Sequence, residues 1–287
     1  MYNRILISRT DSIGDVMLTL PMLVWLKKHF PQAEILYLGK DYTEPIVSSF
    51  GVVDRFVNWT ELENSPTTLR AETLRDLNVD VIIHVFPVKE IAALAKKAKI
   101  PMRIGTSHRA FHLLTCNHRV NFTRKRSDLH EAQLNFELLR PLGLTEIPPL
   151  DQIISDVAVF KASQVALPAH ISKAMFEAKK SIILHPKSQG SAVEWPIGKY
   201  VELAEKLLLM DYTVFFTGTQ VEGDLFRDVL PKNDRIIDTM GEMDLYQLIS
   251  FISQVNALVA CSTGPLHIAG FTGIRAIGLF SPRKPIH

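Results

Sequence analysis

The chain has 287 residues, 47% of them apolar and 22% charged, with a net charge of +2. That length suits two domains, and that balance excludes a disordered or fibrous chain. No apolar run reaches the roughly 18–20 residues that cross a bilayer, and the start, Tyr2-Asn3-Arg4, lacks a signal core, so a cytoplasmic protein with at most peripheral membrane contact is expected.

Taken in chain order, the pattern is strand, turn, helix, repeated. Residues 5–8 read as a buried strand, followed by a polar stretch over 9–15 and a helix that runs to Phe30 and stops at Pro31. Further strands are expected over 35–38, 79–85 and 103–105, and a helix over 130–142 capped by Gly143. The stretch 144–159, with Pro148 and Pro149, breaks the rhythm and reads as an interdomain linker. Beyond it, strands are expected over 181–185, 213–217, 235–238, 257–260 and 276–280. Helices are expected over 197–210, 221–230, 244–253 and 266–272.

Near-continuously apolar strands alternating with helices mean parallel sheets covered on both faces. Two such runs predict two doubly wound α/β domains, 1–155 and 156–287, with ligands at the carboxyl ends of the strands around a cleft. Cys116 and Cys261 match no metal or disulfide spacing and read as reduced packing residues.

Five features carry chemistry. Asp15, near the start of the first helix, is either a helix cap or a general base. The turn Ser262-Thr263-Gly264-Pro265-Leu266-His267 opens a helix after a strand, which makes it an anion site or a capped structural turn. Lys187 and Ser188, in a loop after a strand, supply donors for phosphate or sugar oxygens, or else a solvated charge. Glu222 suits the hydroxyls of a ribose, or simply a helix start. Finally, nine Lys or Arg residues and no acid lie between Ile91 and Ser127: Lys96, Lys97, Lys99, Arg103, Arg109, Arg119, Arg124, Lys125 and Arg126. Such a run attracts phosphates or an anionic membrane, and without a recognition motif it does not point to nucleic acid.

Together these elements resemble glycosyltransferase family 9, the ADP-heptose:lipopolysaccharide heptosyltransferases. The resemblance rests on the stretch from Ile5-Leu6-Ile7-Ser8 through Ser12-Ile13-Gly14-Asp15 to Pro21. It continues in His185-Pro186 through Glu194-Trp195-Pro196, in Met243-Asp244-Leu245 and in Ser262 through Ala269. Two positions depart from the family pattern: Val193 replaces a basic residue, and Ser262 stands where Asp is frequent. The resemblance also implies a C-terminal segment that a chain ending at His287 lacks.

What the resemblance implies is a GT-B fold and an inverting transfer without metal or other cofactor. The N-terminal domain would hold a phosphorylated lipopolysaccharide-type acceptor near the inner membrane, and the C-terminal domain a nucleotide-sugar, ADP-linked as in the family's best-known donor. Asp15 matches the catalytic base. Lys187, Ser188, Glu222, Met243, Ser262, Thr263, Gly264, Pro265 and His267 match the donor site, and Ser12, Gly14, Arg103, Arg109 and Arg124 are assigned to the acceptor. Two other classes stay open: a nucleotide-sugar epimerase on the same architecture and a nucleotide-binding protein without catalysis.

Overall fold

The structure, a computed structural model, describes residues 2–281. The chain divides into two compact units, the first running to Phe160 and the second beginning at Lys161. The expectation about the chain's end, beyond Ser281, lies outside the described residues.

In the first unit, six parallel strands form one sheet. They are β1 (Arg4–Ser8), β2 (Glu34–Gly39), β3 (Arg55–Asn58), β4 (Val81–His84), β5 (Met102–Thr106) and β6 (His118–Val120), in the order β3-β2-β1-β4-β5-β6. The β1 residues Ile5, Leu6 and Ile7 are fully buried, as a central strand covered on both faces requires. Leu6 packs with Leu36, Leu38, Trp59, Leu74 and Ile82 in one core layer. The strand order reverses between β1 and β4, and in doubly wound sheets that reversal opens a crevice at the carboxyl ends. The helix Ile13–His29 leaves β1 at that point; every residue from Val16 to Leu26 except Leu18 is buried. A helix apolar nearly all round is a core helix, here packed against the helices Glu44–Ser48 and Glu131–Phe136.

The second unit repeats the plan with β7 (Lys180–His185), β8 (Tyr212–Phe216), β9 (Ile236–Asp238), β10 (Ala257–Cys261) and β11 (Arg275–Leu279). Their order is β11-β10-β7-β8-β9, all parallel, so the reversal falls between β7 and β10. The core joins Ile182, Leu184, Val214, Phe216 and Val259 to Tyr200, Ala204 and Leu207 of the helix Ile197–Leu209.

Several expectations are corrected. The stretch 144–159 is not a linker: Leu150–Asp156 is a helix whose Ile153 is buried and whose Asp156 pairs with Lys28 at 2.7 Å. Pro149 stands at the N-cap of that helix, so the prolines introduce a helix rather than separate two domains. Phe160 still bridges to Phe50, so the structural division falls at 160/161 rather than 155/156. The expected helix over 130–142 is α-helical only over Glu131–Phe136 and then tightens to a 3-10 helix through Pro141, ending on Gly143 at φ +100°. The helix expected over 221–230 shortens to Gln220–Asp224. Cys116 and Cys261 are buried, unpaired thiols.

Gly105, in β5, lies under the short helix His112–Thr115. A Cβ there would stand 2.6 Å from His112 Nδ1 and 2.9 Å from Cys116 Sγ. His112 is buried and its Nδ1 is fixed on the Thr106 carbonyl at 2.9 Å, so it has little room to yield. Gly105→Ala is expected to destabilise the fold by about 1–3 kcal/mol, the usual scale of overpacking. Denaturant unfolding compared with the parent checks it.

Candidate functional site

At the carboxyl end of β1 stands a buried arginine. Arg9 has 4% of its side chain exposed. Its Nε and Nη2 donate to the two oxygens of Asp11 at 2.8 and 3.0 Å. Nη2 also donates to Asp15 Oδ1 at 2.8 Å, and Nη1 to Thr19 Oγ1 at 3.1 Å and Asn135 Oδ1 at 3.4 Å. Each guanidinium nitrogen therefore has a partner, which a buried arginine requires. Burial works against its charge, yet the hydrogen bonds to Asp11 and the fields of Asp11 and Asp15 outweigh it and raise its pKa.

Asp15, one-third exposed, projects from the first turn of the helix Ile13–His29. Its Oδ1 takes the Arg9 bond and its Oδ2 accepts from the Ser12 hydroxyl at 2.6 Å. It is not the helix cap that local sequence allowed: its hydrogen bonds among the described residues are to side chains, and Ser12 occupies the N-cap. Arg124 brings Nη2 to 3.9 Å from Asp15 Oδ1 while Glu131, a buried carboxylate, holds the same guanidinium at 2.6 Å. Gly14 sits beside Asp15 in the same turn.

The other expected acceptor cations do not join this group. Arg103 lies near the amino end of β5, where its Nε donates to the Thr115 carbonyl at 2.7 Å and Nη1 to the Ile100 carbonyl. It braces the β5–β6 connection, because the parallel crossover brings the Thr115 carbonyl back to the strand's beginning, beside Ile100. Arg109 is exposed in that connection, just before the helix His112–Thr115.

In the second unit the expected donor residues follow the carboxyl ends of four strands. Beyond β7, Lys187 Nζ pairs with Glu194 Oε2 at 2.6 Å. Ser188, buried, donates its amide and hydroxyl to Glu194 Oε1 at 2.8 and 3.0 Å. One carboxylate thus closes the loop. Burial pushes the Glu194 carboxyl up, but the Lys187 and Ser188 bonds prevail and hold it below the usual range.

Beyond β8, Glu222 is buried and completes a capping box. Its Oε2 accepts the Thr219 amide at 2.8 Å and the Thr219 hydroxyl at 3.0 Å. Met243 precedes Asp244, the N-cap of the helix Leu245–Ile252 that follows β9. Beyond β10, Ser262 is exposed and Thr263 buried, and Gly264 and Pro265 open the helix Gly264–Thr272. Leu266 and His267 turn their amides onto the Thr263 carbonyl at 3.1 and 3.4 Å, and Pro265 has no N–H. This turn therefore offers fewer amides than expected, with that of Gly264 foremost. Among the described residues, no group of three or more His, Cys, Asp or Glu is placed to hold a metal ion.

Sequence reasoning passed over Arg9 and Glu194, although both stand in the quoted motifs. The signal for Arg9 was a lone cation directly after a buried strand, with acids two and six residues on.

The model of glycosyltransferase family 9 (heptosyltransferase) matches residues 69–287. The chain belongs to that family. It is 23% identical to lipooligosaccharide heptosyltransferase 2 of Haemophilus influenzae, across 98% of this chain and 84% of that one. The E. coli ADP-heptose LPS heptosyltransferase II superposes with a TM-score of 0.78 at 19% identity, covering 99% of this chain and 86% of that one. The E. coli heptosyltransferase WaaC with ADP-2-deoxy-2-fluoro heptose gives 0.76 at 18%, covering 99% and 90%. The two parallel sheets and these superpositions establish GT-B architecture for this family 9 chain.

Two buried histidines lie at the strand ends of this architecture, His84 on β4 and His185 on β7. Burial holds the His84 pKa down to about 3 and that of His185 down to about 4, against an ordinary 6.5. Both ring nitrogens of His84 lack a hydrogen-bond partner, while His185 Nδ1 meets Thr217 Oγ1 at 2.9 Å. Above pH 6.5 both are neutral folded and unfolded. As pH falls below that value only the unfolded chain takes up their protons, so stability is lost down to the folded values, by up to about 1.4 kcal/mol per pH unit for each histidine. His84→Phe is expected to flatten the fall in unfolding free energy between about pH 6.5 and about pH 3, the window in which the unfolded imidazole is protonated and the folded one is not. Denaturant titrations across that window check it, and an unchanged slope would assign the acid sensitivity elsewhere.

Proposed function

We propose that this chain is an inverting glycosyltransferase that moves a heptose from ADP-heptose onto a phosphorylated lipopolysaccharide-core acceptor in the cytoplasm, without a metal ion. The observation that carries the reading is the Asp15 carboxylate, oriented by Arg9 and Ser12 at the carboxyl end of β1 with the Arg124 guanidinium beside it. The named substrates of the family 9 relatives supply the choice of donor and acceptor.

In this reading an acceptor hydroxyl attacks the anomeric carbon from the face opposite the diphosphate. Its proton passes to an Asp15 oxygen as the new C–O bond forms. The bond from the anomeric carbon to the diphosphate breaks, and the nucleoside diphosphate leaves with the electron pair. One displacement inverts the anomeric centre. Lys187, the Ser188 loop and the Gly264 amide at the start of a helix receive the departing negative charge. Lys187 must then exchange part of its Glu194 pairing for phosphate. Glu222 serves the ribose with a carboxylate already fixed by its cap, which lowers the cost of ordering it. Ser12, Gly14 and Arg124 line the acceptor side, and Arg124 suits its phosphate.

Asp15→Ala is expected to lower turnover by roughly 10²–10⁴-fold, the scale of a general base, with ADP affinity little changed. Steady-state kinetics and calorimetric titration with ADP, UDP and GDP check both halves. Near-normal turnover would reject Asp15 as the base, and tighter binding of UDP or GDP would reject the adenine donor. Turnover of the donor alone, with no acceptor present, would favour an epimerase. A chelator is expected to leave the rate unchanged.

Reversing Arg124, Lys125 and Arg126 to Glu is expected to raise the acceptor KM, most strongly at low salt, because these charges are exposed and screened by ions. Measuring KM across ionic strength checks it. An acceptor dependence like that of the parent would place the acceptor phosphate elsewhere.

A further inference from the structure

We propose that the connection between β5 and β6 docks this protein on the surface of an anionic lipid bilayer, through Leu113 and Leu114. The helix His112–Thr115 has two unlike sides. His112, Thr115 and the following Cys116 are buried, while Leu113 and Leu114 are 60% and 75% exposed. Adjacent leucines raised on an anchored turn are costly in water, and each gains free energy by entering an apolar layer.

Three cations surround the base of this pair. Lys96 Nζ donates to the Leu114 carbonyl at 2.8 Å, Arg103 Nε to the Thr115 carbonyl at 2.7 Å and Arg119 Nη1 to the Cys116 carbonyl at 3.1 Å. Lys97 and Arg109 are exposed close by in the chain. No acid interrupts the sequence between Ile91 and Ser127, and the preceding Glu90 is ion-paired with Arg70. Two apolar tips ringed by cations match the two layers of a bilayer interface, where acyl chains lie just beneath anionic headgroups. Cations alone would suit nucleic acid as well; the exposed leucines favour lipid. No helix among the described residues is long and apolar enough to cross a membrane, so the contact is interfacial.

This surface is separate from the transfer site proposed above. Arg103 braces the amino end of β5, whereas Asp15 stands at the carboxyl end of β1. The two can therefore be tested apart.

The experiment is co-sedimentation of the purified chain with phosphatidylcholine vesicles, with and without phosphatidylglycerol. The parent is expected to bind the phosphatidylglycerol vesicles at least about tenfold more tightly than the neutral ones, and to release as salt rises. Leu113→Ser with Leu114→Ser is expected to lose about tenfold or more of that binding. Lys96→Gln with Lys97→Gln should lose about fivefold per charge. Circular dichroism and ADP affinity, unchanged in both variants, would show that the fold is intact. Equal binding to neutral vesicles, or full binding by the serine variant, would overturn the proposal. So would light scattering that showed the leucines to join two copies of the chain in the absence of vesicles. A parent that sediments with anionic vesicles but binds no ADP would leave this surface standing and remove the transferase reading instead.

Discussion

The first unit is organised around one buried guanidinium. Arg9 is the first residue past β1, and its backbone still pairs with Leu38 of β2. The strand thus delivers its charge to a point where the sheet's two halves part. Removing that charge from water is costly, and the cost is offset only because Asp11, Asp15, Thr19 and Asn135 all direct oxygens at it. That requirement fixes the path of the loop 9–12 and the first turn of the next helix. It also binds distant chain: Asn135 donates to the Leu18 carbonyl of the same helix at 2.9 Å while accepting from Arg9. The rotamer of Asp15 follows from this network rather than from helix capping.

The second unit solves a similar problem with an anion at its centre. Glu194 gathers Lys187 and Ser188 and closes the loop after β7. Glu222 and Asp244 each complete a capping box at the start of a helix that follows a strand. Lys187, Ser188 and Glu222, read from sequence as ligand groups, thus hold the local backbone in this structure. A group immobilised in this way would lose little further entropy on meeting a ligand.

Much of this was legible in the chain itself. The alternation of short apolar runs with helical stretches predicted two doubly wound units, since only parallel sheets covered on both faces need strands as apolar as Ile5-Leu6-Ile7 or Ile182-Ile183-Leu184. The weak strands were not legible. Arg55–Asn58 and His118–Val120 are edge strands, and their exposure lets polar residues in and erases the pattern. The stretch 144–159 misled for a related reason: its prolines marked a break between helices, and nothing local distinguishes that from a break between domains.

The candidate residues divide in the same way. Sequence by itself determined that Asp15, Lys187, Ser188, Glu222, Met243 and the 262–267 turn would each follow a strand, because strand and turn signals are local. Only tertiary structure decided which cations serve which purpose. Arg9, Arg103 and Arg124 are equivalent as letters, yet one is buried among oxygens, one braces a crossover and one reaches Asp15. Charge is a property of the residue, but its partners are chosen by how the strands order themselves in the sheet, and that order is set by packing across the whole unit.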